Sequence, residues 1–178
     1  MAVVMGIDPS LTSTGFVVLR DGQLLEHAAF HTRTTGPVRL LEIQDQMLAR
    51  IRDHRPELVA IEGYAFGVRG GAAFSLGELG GVLRVGMHLR SAKWIEVAPS
   101  QVKKFATGKG VAEKDQMLLT VFKRWGIEFK THDEADAYVL AQIARAAVEG
   151  SDGLTQFQKE VVAEIMVPKM KGKKAKAG

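Results

Sequence analysis

Two short apolar runs each stop on a carboxylate. Residues 2–7 (AVVMGI) end at Asp8, and residues 58–62 (LVAIE) end in Glu62. Runs of that length, rich in Val and Ile, read as buried strands. The ends of strands in open α/β sheets are where sites are usually assembled. A chain built around such strands must cover them with other elements and gather acid at their ends.

The rest of the pattern supplies those elements. Residues 15–20 (GFVVLR) predict a second strand. Asp21-Gly22 is a strong hairpin signal, and residues 24–31 return as a third strand. Pro37 opens a helix in which Leu40, Ile43, Met47 and Ile51 recur at helical spacing. Residues 63–71 are glycine-rich and loop-like. Residues 72–91 predict a helix despite Gly77, Gly80, Gly81 and Gly86. Each glycine weakens a helix by up to ~1 kcal/mol, so the expected compensation is close packing against another backbone, in the core or in a dimer. Residues 94–98 (WIEVA) predict a fifth strand, and helices follow from Ser100, Glu113 and Asp133. A hairpin followed by strands alternating with helices implies an α/β fold, a mixed five-stranded sheet flanked by helices.

Composition narrows the function. The chain has 178 residues, 46% apolar and 25% charged, with no cysteine. Disulfides, thiolate metal sites and cysteine nucleophiles are thereby excluded. No apolar segment approaches the roughly 18 residues of a membrane span, so a cytoplasmic protein with no membrane partner is expected. The formal charge is +4. Five lysines (Lys169, Lys171, Lys173, Lys174, Lys176) lie in the last eleven residues. Setting them aside from the 24 basic residues leaves 19 against 20 acidic ones. Residues 1–167 are expected to form the domain. Residues 168–178 read as a basic, disordered tail that adds sequence-independent attraction to DNA.

Four carboxylates stand out: Asp8, Glu62, Asp133 and Asp136. Asp133 and Asp136 are three apart at a helix start and share one face. Four such groups brought together repel, and a divalent cation removes that cost. Hard oxygen donors without cysteine point to Mg2+, with Mn2+ able to substitute. Two such ions can activate water and stabilise the leaving oxygen in phosphodiester cleavage. Each residue also has a simpler reading. Asp133 can cap its helix, Glu62 can be a surface charge, and Asp8 can be a turn residue before Pro9. His132, beside Asp133, reads as a solvent-facing loop histidine. Lys103 and Lys114, with Lys104 and Lys109, surround the loop Thr107-Gly108-Lys109-Gly110, which suits a grip on phosphates.

Five segments carry a resemblance. Gly6-Ile7-Asp8-Pro9-Ser10, Ala60-Ile61-Glu62-Gly63, Gln101-Val102-Lys103-Lys104, Ala112-Glu113-Lys114-Asp115-Gln116 and Asp133-Glu134-Ala135-Asp136-Ala137 resemble the RuvC family in order and separation, over about residues 3–148. The resemblance implies an RNase H-like fold and a homodimer that cuts two opposed strands of a four-way (Holliday) junction. It implies that Asp8, Glu62, Asp133 and Asp136 bind metal and that Lys103 and Lys114 line the catalytic groove. Ser10-Leu11-Thr12-Ser13-Thr14-Gly15 is more similar to phage members. The family's aromatic wedge falls near Tyr64 and Phe66, which flank the expected spot and join Lys104 and Lys109 as DNA-binding candidates. Three rivals remain. The first loop also resembles the phosphate loop of sugar-kinase and actin-type ATPases, a fold that needs two such domains. A related nuclease would act on RNA or an RNA–DNA hybrid. A binding protein would recognise junctions without cutting. No motor partner can be read from the residues.

Overall fold

A computed structural model describes residues 1–64 and 71–167. Phe66 and residues 168–178 lie outside the described residues. The first three strands are β1 (Val3–Asp8), β2 (Ser13–Arg20) and β3 (Gln23–His31), followed by helix α1 (Gly36–His54). Then come β4 (Leu58–Glu62), α2 (Gly71–Leu89) and β5 (Trp94–Val97). Four helices complete the chain: α3 (Pro99–Thr107), α4 (Lys114–Trp125), α5 (His132–Glu149) and α6 (Gln156–Met166).

The strands form one sheet in the order β3-β2-β1-β4-β5. β2 pairs antiparallel with both β1 and β3, whereas β4 pairs parallel with β1 and β5 parallel with β4. The hairpin between β2 and β3 turns on Asp21 and Gly22, at φ 50° and 78°. Positive φ at both central residues matches the right-handed twist of the flanking strands, and Asp-Gly tolerates it.

Side-chain alternation along the strands divides the interior into two cores. Val4, Val17, Leu19 and Ala60 face one core, with Phe105, Tyr138, Leu140 and Val161 from the helices. Met5, Ile7, Phe16, Val18, Val59 and Ile61 face the other, with Ile43, Met47 and Ile51 of α1 and Leu79, Leu83 and Met87 of α2. Helices therefore cover both faces, as the fully apolar strands require.

Helix α5 lies directly on the sheet. A Cβ placed on Gly6 would stand 2.0 Å from the Ala137 carbonyl oxygen, and one on Gly15 would stand 2.1 Å from that of Asp133. Glycine at these two positions is what lets the helix backbone come so close. Alanines at 135, 137, 141 and 144, all fully buried, complete the thin seam.

The expected sheet and its five strands are present, with boundaries within two residues of expectation. Two features differ. Helix α6 follows the three helices expected after β5. Among the described residues, the nearest neighbours of the α2 glycines are side chains and not another backbone. Gly80 and Gly86 meet the side chains of Tyr64 and Arg84 and of Gln44 and Leu48, and Gly77 and Gly81 face open space. Among the described residues, these glycines therefore form no backbone seam within this chain.

Candidate active site

The parallel register of β1 and β4 pairs Ile7 with Ile61, so Asp8 and Glu62 leave the sheet side by side at the same edge. The first turn of α5 brings Asp136 and Asp133 to that edge, close enough for both charges to act on Asp8. All four carboxylates singled out in the sequence thus share one strand-end surface.

Each simpler reading can be checked. Asp133 is not the cap of α5, because Thr131 is. The Thr131 hydroxyl accepts from the Glu134 amide at 3.2 Å, and the Glu134 carboxylate accepts from the Thr131 amide at 3.2 Å. This capping box leaves Asp133 unused by its own helix. The Ser13 hydroxyl of β2 donates to Asp133 Oδ2 at 2.6 Å. Asp8 is the last residue of β1 and is not a solvated turn. Glu62 is partly buried at the end of β4.

The electrostatics are unfavourable for four free charges. Burial, then repulsion from Glu62, Asp136 and Asp133, holds the Asp8 carboxyl well above the usual range. Burial and the Asp136 charge push Glu62 up to about 7, against relief from the Asp8 hydrogen bond and the Lys103 charge. Two carboxyl groups can hydrogen-bond only if one keeps its proton. The Asp8–Glu62 pair therefore binds a proton where isolated carboxylates would have lost theirs.

Among the described residues, no three acidic or histidine side chains form a ready cage around a single ion. The fit to a cation lies in the donor chemistry: clustered, part-buried oxygen ligands whose mutual repulsion a divalent ion would offset. A cavity of about 560 Å3 lies toward the other end of α5, lined by Gln142, Arg145 and Glu149 among others, and none of the four carboxylates borders it.

The basic residues divide. Lys103 on α3 is near enough for its charge to act on Glu62. Lys114 is the first residue of α4. Lys109 is exposed in the loop after α3. Lys104 is already engaged: its Nζ lies 3.0 Å from Glu160 and 3.8 Å from Glu164, both on α6. Tyr64 is half-exposed just after β4, and the Arg84 guanidinium sits 4.6 Å from its ring centroid. His132 turns toward α4, with Nε2 3.6 Å from Asp115.

Two contributors escaped the sequence reading. One is Ser13. The other is His27 on β3, whose Nδ1 lies 2.8 Å from Glu134 Oε1. With Thr131, it ties the start of α5 to the sheet edge. The spacing Thr131-x-x-Glu134 is a capping-box signal that locates half of this tie.

The raised carboxyl pKa values give the fold a pH dependence without metal. Glu62 moves from an ordinary 4.5 to about 7 on folding. A group raised in this way supports the fold below its unfolded value, and that support is lost as pH rises through the folded value. Each unit is worth about 1.4 kcal/mol, so a loss of a few kcal/mol is expected between pH 5 and pH 8. Urea unfolding in the presence of a chelator measures it. Stability that rose over that interval would show that the carboxyls are not held in the raised state.

The family described as "Crossover junction endodeoxyribonuclease RuvC" matches residues 4–144. A RuvC of Anaeromyxobacter dehalogenans is 35% identical over 152 residues, spanning 82% of each chain. One from Brevibacillus brevis is 31% identical over 146 residues, 78% of this chain and 88% of that one. Among solved structures, Thermus thermophilus RuvC in complex with a Holliday junction substrate superposes with a TM-score of 0.68 at 28% identity, covering 79% of this chain and 91% of that one. The yeast mitochondrial Holliday junction resolvase Ydc2 shares the fold, with a TM-score of 0.57 at 14% identity over 91% of this chain and 79% of that one.

Proposed function

This chain belongs to the crossover junction endodeoxyribonuclease RuvC family, and on that premise we propose how its residues carry out the family's reaction. It is a structure-specific endodeoxyribonuclease with an RNase H-like fold that cleaves four-way (Holliday) junctions. The observation that carries the assignment of residues is the acidic strand end. Asp8, Glu62, Asp133 and Asp136 are held together at a cost that only an ionic partner repays.

We assign these four as the ligands of divalent metal, Mg2+ with Mn2+ able to substitute. Bound there, the metal supplies an activated water and stabilises the charge that develops on the leaving oxygen. The chain's own residues prepare that chemistry. Asp8 and Glu62 give up their shared proton to become ligands, so metal affinity rises with pH. Ser13 fixes the orientation of Asp133. Lys103 and Lys114 meet the scissile phosphate, while Lys109 and Tyr64 contact DNA nearby. Lys104 contributes to DNA binding only to the extent that Glu160 and Glu164 release it. A protein that bound junctions without cutting would have no use for buried, mutually repelling carboxylates.

The test is metal-dependent cleavage of a four-way junction, a flap and an RNA–DNA hybrid. Junction cleavage alone at low enzyme supports this reading, and preference for the hybrid would favour an RNA-directed nuclease. Lys103→Ala is expected to slow single-turnover cleavage at saturating enzyme by about 10²-fold, a typical loss for one group that stabilises transition-state charge. An unchanged rate with weaker binding would make Lys103 an ordinary phosphate contact.

Two opposed strands require two active sites, which a two-fold dimer supplies with one interface. Phe74 and Leu89 of α2 are more than three-quarters exposed, and Val85 is also exposed. They share a helix with Gly77 and Gly81, which face open space. We assign this face to the partner copy. Sedimentation is expected to give twice the 19.4 kDa chain mass. A monomer both free and on junction DNA would reject the assignment.

A further inference from the structure

The family match ends at residue 144, so α6 lies beyond it. This helix packs on α3, the short element that carries Lys103. Helix α3 has nine residues, too few to hold itself together in water. The last four carbonyls of any helix lack partners within it. In α3 those at 104–106 are all satisfied, mostly from outside. Gly108 N donates to the Lys104 oxygen at 2.8 Å. Arg124 Nε of α4 donates to the Ala106 oxygen at 3.1 Å. The Phe105 oxygen accepts from Gln158 Nε2 of α6 at 3.3 Å.

Gln158 uses both ends of its amide. Its Oε1 accepts from the Thr155 amide and hydroxyl, each at 3.0 Å, which caps α6. Its Nε2 reaches α3. The side chain is almost wholly buried, at 4% exposure. Glutamate could keep the cap but not the donor to Phe105. We propose that Gln158 is a positioning residue for Lys103, its amide locking the C-terminal end of α3 against α6 so that the lysine faces the carboxylates. The proposal rests on the reading that Lys103 acts at the scissile phosphate.

A double-mutant cycle tests it. Gln158→Glu is expected to slow single-turnover junction cleavage roughly tenfold, since small misplacement of a catalytic group costs one to two orders of magnitude. In the Lys103→Ala background the same change is expected to slow cleavage less than about twofold, because no lysine remains to misplace. Thr155→Ala, which removes the hydroxyl bond of the α6 cap and leaves the Phe105 donor, is expected to cut at close to the wild-type rate. All variants are compared at a temperature where circular dichroism shows them folded. Should Gln158→Glu not fold, Gln158→Met removes the same donor without placing charge in the core. An equal slowing with and without Lys103 would overturn the proposal and make Gln158 a general fold contact. Wild-type cleavage by Lys103→Ala alone would instead remove the lysine's role, and the proposal with it.

Discussion

Asp8→Asn is expected to abolish cleavage, to leave junction binding intact, and to make the metal-free protein more stable at neutral pH. Metal charge stabilisation is worth several kcal/mol, so a rate loss of at least about 10³-fold is expected. Binding should survive because the groups that meet phosphates are lysines and backbone amides, not carboxylates. The gain in stability follows from the same geometry. Burial holds the Asp8 carboxyl well above its usual range, with repulsion from Glu62, Asp136 and Asp133 added to it. An amide of the same shape removes the charge, keeps a hydrogen-bond donor for Glu62, and flattens the loss of stability between pH 5 and pH 8. Adding divalent metal should then stabilise the wild type more than the variant, by mass action on the folded state. Cleavage at the wild-type rate would remove Asp8 from the site. A destabilised variant with no metal-dependent difference would show that Asp8 serves the fold.

What the sequence could show was decided by distance along the chain. The strands ending at Asp8 and Glu62, the Asp21-Gly22 turn and the spacing of Ile43, Met47 and Ile51 are local patterns, and each is present in the structure. Contacts between distant segments left no such trace. Ser13 reaches Asp133 across 120 residues, and His27 reaches Glu134 across 107. Lys104 read as a free cation because its partner Glu160 lies 56 residues on, in α6. That helix itself was hard to see. Val161 and Gln158 are its only fully buried residues, so its apolar stripe is thin. Its one local signal was the capping pattern Thr155-x-x-Gln158, the same kind of signal that marks Thr131 and Glu134 at α5.

Gly15→Ala carries the second large effect. Gly15 pairs with Asp8 across β1 and β2. A Cβ there would stand 2.1 Å from the Asp133 oxygen and 2.4 Å from its carbonyl carbon. Neither is the flexible end of a side chain, so the start of α5 must move away from the sheet. Overpacking of this kind costs roughly 1–3 kcal/mol, and a backbone obstacle places it at the upper end. The move also draws Asp133 and Asp136 away from Asp8 and Glu62. A displacement of about 1 Å is enough for a 10²-fold loss of cleavage rate. Val17→Ala provides the contrast. Val17 is fully buried two residues along the same strand and faces the same core, and its truncation leaves a cavity rather than a push. It should lower stability while leaving the rate of the folded enzyme within a few-fold of wild type. Metal titration followed by calorimetry separates the two further, since only Gly15→Ala should weaken divalent-ion binding. If both variants, compared while folded, cleave and bind metal alike, the thin seam between α5 and the sheet supports the fold alone and does not set the spacing of the carboxylates.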